Sequence, residues 1–154
     1  MANSITFTSN AFASTTLFAT ASAATASGYI VTTTNTFYDI VGGTTSYDRR
    51  IYGVGVTSTD TANIQTITVA LNDGIKNINL YQGACPVNSG NTTAIVNFDL
   101  YSTANASAIF SGQADGNGVT YFNLKAGWSL RAAYSTALTT NRLLIFTTFG
   151  ETYQ

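Results

Sequence analysis

From residue 49 onward, apolar and polar positions alternate with a period of two, interrupted at short intervals by turn residues. Two is the strand period, because successive side chains leave opposite faces of a pleated chain. Arg50–Thr57 sets Tyr52, Val54 and Val56 on one face and Gly53 and Gly55 on the other, where a neighbouring segment can approach closely. Ile64–Leu71 sets Gln65, Ile67, Val69 and Leu71 against Ile64, Thr66, Thr68 and Ala70. Asn72-Asp73-Gly74 predicts a turn, with Gly74 free to take positive φ. Ile75–Gln82 then returns as a hairpin partner, with Lys76, Ile78 and Leu80 against Asn77, Asn79 and Tyr81. Gly83–Thr93 holds the single Pro and the single Cys and is expected to be a loop. Ala94–Tyr101, Val119–Leu124, Trp128–Ser135 and Leu143–Phe149 predict further strands. Ser102–Gly118 is loop-like and ends in the turn Asp115-Gly116-Asn117-Gly118. In Trp128–Ser135, Trp128, Leu130, Ala132 and Tyr134 oppose Ser129, Arg131, Ala133 and Ser135.

The first 48 residues are different in kind. They carry only Asp39 and Asp48 as charges and consist of Ser, Thr and Ala with scattered aromatics. Residues 1–27 are expected to form an uncharged N-terminal arm and residues 28–154 a single β domain, with early strands at Tyr29–Thr34 and Phe37–Val41. That makes about nine or ten strands, no helical period and no internal repeat, the pattern of a sandwich or barrel. Ala11–Val31 is apolar by count, but its many Ser and Thr argue against a membrane span. No Lys or Arg precedes it, against a signal peptide.

Composition narrows the chemistry. Only 8% of the 154 residues are charged, six cations and seven acids for a net charge of −1, against roughly 25% in an average soluble protein. There is no His, hence no Ser-His-Asp triad, no Cys-His dyad and no imidazole metal ligand. One Cys makes neither an internal disulfide nor a cysteine zinc site. Six cations are too few for a groove that neutralises phosphates, so no nucleic-acid partner is expected. Near-zero net charge removes the repulsion that keeps copies apart and suits a chain that works in an assembly.

The remaining candidates are few. Asp73 and Asp115 are read as turn formers, and no spacing compels two carboxylates to flank one bond as a glycosidase requires. Asp115-Gly116-Asn117-Gly118 resembles half of a calcium loop but lacks the rest of one. Cys85 has no His to make it a thiolate. No enzyme activity, cofactor or metal is therefore expected. The one dense charge feature is Tyr47-Asp48-Arg49-Arg50, which reads either as a solvated loop or as a recognition loop whose arginines pair with carboxylates across an interface. Arg131 stands alone among the small residues of its strand face, a face either exposed to solvent or receiving another chain. Asp48, Arg49, Arg50 and Arg131 are the interface candidates.

Several phrases together resemble small virion proteins of tailed bacteriophages, of the head decoration (cement) kind. They are Asp48-Arg49-Arg50-Ile51-Tyr52, the Asn72-Asp73-Gly74 hairpin, Asn88-Ser89-Gly90-Asn91, Leu124-Lys125-Ala126-Gly127-Trp128-Ser129-Leu130-Arg131-Ala132-Ala133 and Phe149-Gly150-Glu151-Thr152-Tyr153. The resemblance spans roughly residues 48–154. It implies a jelly-roll-like antiparallel β-sandwich, a homotrimer, and a place on the capsid exterior held by the major capsid protein, with no membrane partner. The alternative expectation is a carbohydrate- or receptor-binding module of a phage fibre or tail.

Overall fold

The structure is a computed structural model that describes residues 9–19, 28–30, 34–43, 47–98, 113–114 and 117–153. Among these there are eleven strands and no helix. The larger sheet runs β2 (Gly28–Ile30), β1 (Ser9–Ala19), β11 (Leu143–Tyr153), β4 (Arg49–Ser58), β9 (Thr120–Leu124) and β8 (Gln113–Ala114), and β7 (Val96–Phe98) lies beside β4. The smaller sheet runs β3 (Tyr38–Val41), β10 (Ser129–Tyr134), β5 (Gln65–Asn72) and β6 (Asn77–Cys85). Every pairing is antiparallel except β1 with β2. The protein is an all-β antiparallel sandwich.

The core lies between the sheets. The larger sheet sends in Ile51, Val54, Val56, Phe98, Phe122, Leu124, Leu144 and Phe146, and the smaller Ile67, Val69, Leu71, Leu80, Leu130, Ala132 and Tyr134. Burying a side chain such as Ile67 or Phe146 stabilises by about 1.5–3 kcal/mol over leaving it exposed. The β-branched and aromatic content of these strands suits a pleated, half-buried surface.

Two bulges change the faces that simple alternation assigns. Phe149 pairs with Gly53 and Gly150 with Ile51, so Tyr52 is an extra residue in β4. An extra residue reverses the side-chain phase. Ile51, not Tyr52, therefore shares the core with Val54 and Val56, and Tyr52 meets Tyr121 edge-on at 6.2 Å outside the core cluster. In the β5–β6 hairpin, Val69 pairs with Tyr81 and Ala70 with Asn79, leaving Leu80 as the extra residue. Tyr81 then packs on the core against Phe98, ring centroids 4.8 Å apart, instead of sharing a face with Asn77 and Asn79. The same strand continues through Gly83 to Cys85, into the segment expected to be a loop. The turn between them forms as the sequence implies, with Gly74 at φ +92°.

The stretch expected as an arm contains a strand of the larger sheet. Ser9–Ala19 pairs along its whole length with β11, from Ser9 opposite Tyr153 to Ala19 opposite Leu143. The calcium-like loop at Asp115-Gly116 and the carboxylate Asp99 lie outside the described residues.

Candidate functional site

Strand register brings the charges of this sparsely charged chain to one end of the sandwich. Arg49 at the start of β4 lies opposite Leu124 at the end of β9 and Thr152 near the end of β11. Ser129 at the start of β10 lies opposite Asn72 at the end of β5, Asn72 opposite Asn77 at the start of β6, and Leu130 opposite Val41 at the end of β3. The loops after β3, β5 and β9 therefore share an end. It gathers Arg49, Arg50, Lys76, Lys125 and Arg131 with Asp39, Asp48, Asp73 and Glu151. Of the six cations only Arg142, just before β11, belongs to the other end.

The four interface candidates all lie here, and each is held from within the chain. The Ala126 amide donates to Asp48 Oδ1 at 2.8 Å, tying the β3–β4 loop to the β9–β10 turn. Arg49 Nη1 donates to the Gly42 carbonyl. The Arg50 guanidinium sits over the Tyr121 ring, 4.4 Å from its centroid. Arg131 does not stand alone: its Nε donates to Asp39 Oδ1 at 2.7 Å across the β10–β3 pair, and the same oxygen accepts from Ser129 Oγ at 2.9 Å. Lys125 lies over the Trp128 ring at 5.5 Å. Asp73 closes its turn by accepting from the amides of Lys76 and Ile75, and these bonds hold its carboxyl below the ordinary range.

The other end is organised by Asp60, which is fully buried. Burial pushes its carboxyl up. Hydrogen bonds from the Thr139 amide, the Ala62 amide, the Thr139 hydroxyl and the Asn63 amide outweigh that and hold it below the ordinary value. All four donors belong to the chain's own loops, so Asp60 is a structural hub and not a free acid. Cys85 is buried, and burial pushes its thiol up, away from the reactive thiolate, against the opposing effect of Ser89. Among the described residues, no three His, Cys, Asp or Glu side chains gather as a metal would need. The arrangement offers fixed charges of both signs for recognition.

Alternation alone gave no sign of a second surface, on the outer face of β11, β4 and β9. Phe149 is 51% exposed there, and on the same sheet Tyr121 is met edge-on by Tyr52 and covered by the Arg50 guanidinium. The far edge of the Phe149 ring lies over Gly53: a Cβ at Gly53 would come within 2.5 Å of Phe149 Cζ. The visible signal is an aromatic residue in the closing strand and a Gly in β4, but only the register makes them neighbours. No family model, curated protein or solved structure matches the chain.

Proposed function

We propose that the protein is a non-enzymatic structural component of a bacteriophage virion that decorates and stabilises the capsid exterior. Its partners in this reading are the major capsid protein and further copies of itself, as a trimer. The observation that carries the proposal is the segregation of charge: in a chain with six cations, five sit with four acids at one end of the sandwich. Mixed charges held by strand ends and short turns suit docking on a surface of complementary pattern, where such charges set register and partner choice. Arginine fits this task because its planar fork pairs two-pronged with a carboxylate. The strand connections support a jelly-roll-like organisation, since the chain passes between sheets from β2 to β3, β3 to β4, β4 to β5, β6 to β7, β9 to β10 and β10 to β11.

The test is retention on virions. Arg49→Ala and Arg50→Ala are compared with the parent across a salt series. Truncating one partner of a desolvated interfacial charge pair costs about 2–5 kcal/mol, whereas a solvated surface pair contributes about 0–1 kcal/mol. The expected result is release of at least one variant at salt concentrations that retain the parent. Equal retention of both variants at every salt concentration overturns the assignment of this end as the docking surface.

A further inference from the structure

β1 lies second from one edge of the larger sheet, between β2 and β11. We infer that copies of the chain exchange this strand, so that the β1 seated on a given β11 belongs to a second copy. The seat is defined by backbone pairing. All eleven residues of β1 pair with β11. Its other neighbour, β2, pairs with it over three residues only: Leu17 with Gly28, Phe18 with Tyr29 and Ala19 with Ile30. β11 pairs with β4 on its far side, so without β1 its whole near side would be a bare edge, which templates pairing with another chain. A β1 from any copy has the same sequence and fills that edge in the same register, which is what makes strand exchange a low-cost route to an oligomer.

The connection between β1 and β2 favours a second copy as the donor. The two strands are parallel neighbours and consecutive in the chain, yet only the eight residues 20–27 lie between them. Parallel neighbours are ordinarily joined by a crossover of a dozen or more residues, because the chain must reverse twice before it runs the same way again. Here Gly28 lies beside Leu17, so within one chain both reversals fall between Ala19 and Gly28. Eight residues are short for that double reversal, but extended they span up to ~29 Å, a reach that suits a bridge from a β1 seated on one copy to the β2 of the next. Exchange removes the double reversal, since each β2 then lies beside a β1 that it does not follow. Charge does not oppose it. Residues 1–27 carry no charged side chain and the whole chain has a net charge of −1, so an exchanged strand sets no like charges against each other. The inference rests on the self-association in the proposed function and not on the virion, and no particle enters its test.

The experiment puts a thiol on each side of the β1–β11 pair in the full chain, as Thr15→Cys with Thr147→Cys. These positions are register partners, and Thr147 is exposed. The Cα atoms of such partners lie about 4.5–5.5 Å apart, within reach of a short bis-maleimide. Cys85 is buried and stays out of the reaction. The folded double variant is cross-linked at micromolar concentration, then denatured and weighed by mass spectrometry. The expected result is chains joined to one another, in excess over single chains bridged within themselves, and no joined chains from either single variant. A product made of single chains with both new thiols consumed overturns the inference, because β1 is then paired within its own chain. Sedimentation of the parent as a monomer at the same concentration overturns it as well. Ala11→Cys with Glu151→Cys, also register partners, gives the same readout if the first variant does not fold. Joined chains in a protein that virions do not retain would uphold the exchange and remove the capsid reading.

Discussion

Asp60 and Thr139 are joined by two hydrogen bonds: the Thr139 amide donates to Oδ2 and its hydroxyl to Oδ1, each at 2.8 Å. The same carboxylate accepts from the amides of Ala62 at 2.9 Å and Asn63 at 3.1 Å. One buried side chain therefore fixes the β4–β5 loop and ties it to the β10–β11 loop. Asp60→Ala leaves three backbone donors without this acceptor, and a hydrogen bond to a charged group contributes about 1.5–3 kcal/mol. The variant is expected to lose about 3 kcal/mol or more of stability in urea denaturation. Thr139→Ala is expected to lose less, because the Thr139 amide still reaches Asp60. Parent-like unfolding of Asp60→Ala would show that the loops are held by other contacts.

The same carboxylate sets a pH dependence. Its folded-state value lies below that of the unfolded chain, so folding favours the ionised form. The associated stability is fully present above the unfolded carboxylate value of about 3.9 and is lost as pH falls through the folded value. Asp73 acts in the same direction. The midpoint of unfolding is expected to hold steady near neutrality and fall below about pH 4, and Asp60→Asn is expected to flatten that fall. An equally steep acid limb in the variant would assign the loss to other carboxylates.

Gln65 is a polar residue in an apolar place. It follows the inward alternation of Ile67, Val69 and Leu71, is 0% exposed, and lies opposite Cys85 in register. Neither Oε1 nor Nε2 of Gln65 has a hydrogen-bond partner among the described residues. A buried amide without a partner costs about 1–3 kcal/mol. Gln65→Met keeps the length and removes both polar atoms, so a gain of about 1–2 kcal/mol in denaturant is expected. A loss of stability would mean that the amide is satisfied in solution.

The period-two pattern made β5, β9, β10 and the Asn72-Asp73-Gly74 turn legible, because each carries its own alternation or turn chemistry. It placed even Gln65 on the inward face, although a polar residue there contradicts the apolar rule. It failed at Tyr52 and Tyr81, because a bulge is a property of a strand pair and not of one strand. It left the small-residue stretch that holds β1 as an arm or strand lying against something, because Ser, Thr and Ala give no strong apolar alternation, although all eleven residues of β1 pair with β11. The charges of the candidate end run from Asp39 to Glu151, and only the register of seven strands collects them. Arg131 looked solitary for the same reason, since its partner Asp39 lies 92 residues away.

That pair supplies a last prediction. The Arg131 and Asp39 side chains are 32% and 35% exposed, so water screens their attraction. A double-mutant cycle with Arg131→Ala and Asp39→Ala is expected to give a coupling of about 0–1 kcal/mol. The corresponding shift in melting temperature is a few degrees, at about 2–4 °C per kcal/mol for a domain of this size. Docking changes the balance, because a partner surface removes the water and strengthens every charge interaction it covers. If the charged end is the docking surface, Arg131→Ala is expected to weaken virion retention by about 30-fold or more, the lower limit for a desolvated interfacial charge. A variant that melts like the parent and detaches from particles would separate recognition from stability at this residue. A variant that also stays bound would place Arg131 outside the interface and leave its pairing with Asp39 as a local tie between β10 and β3.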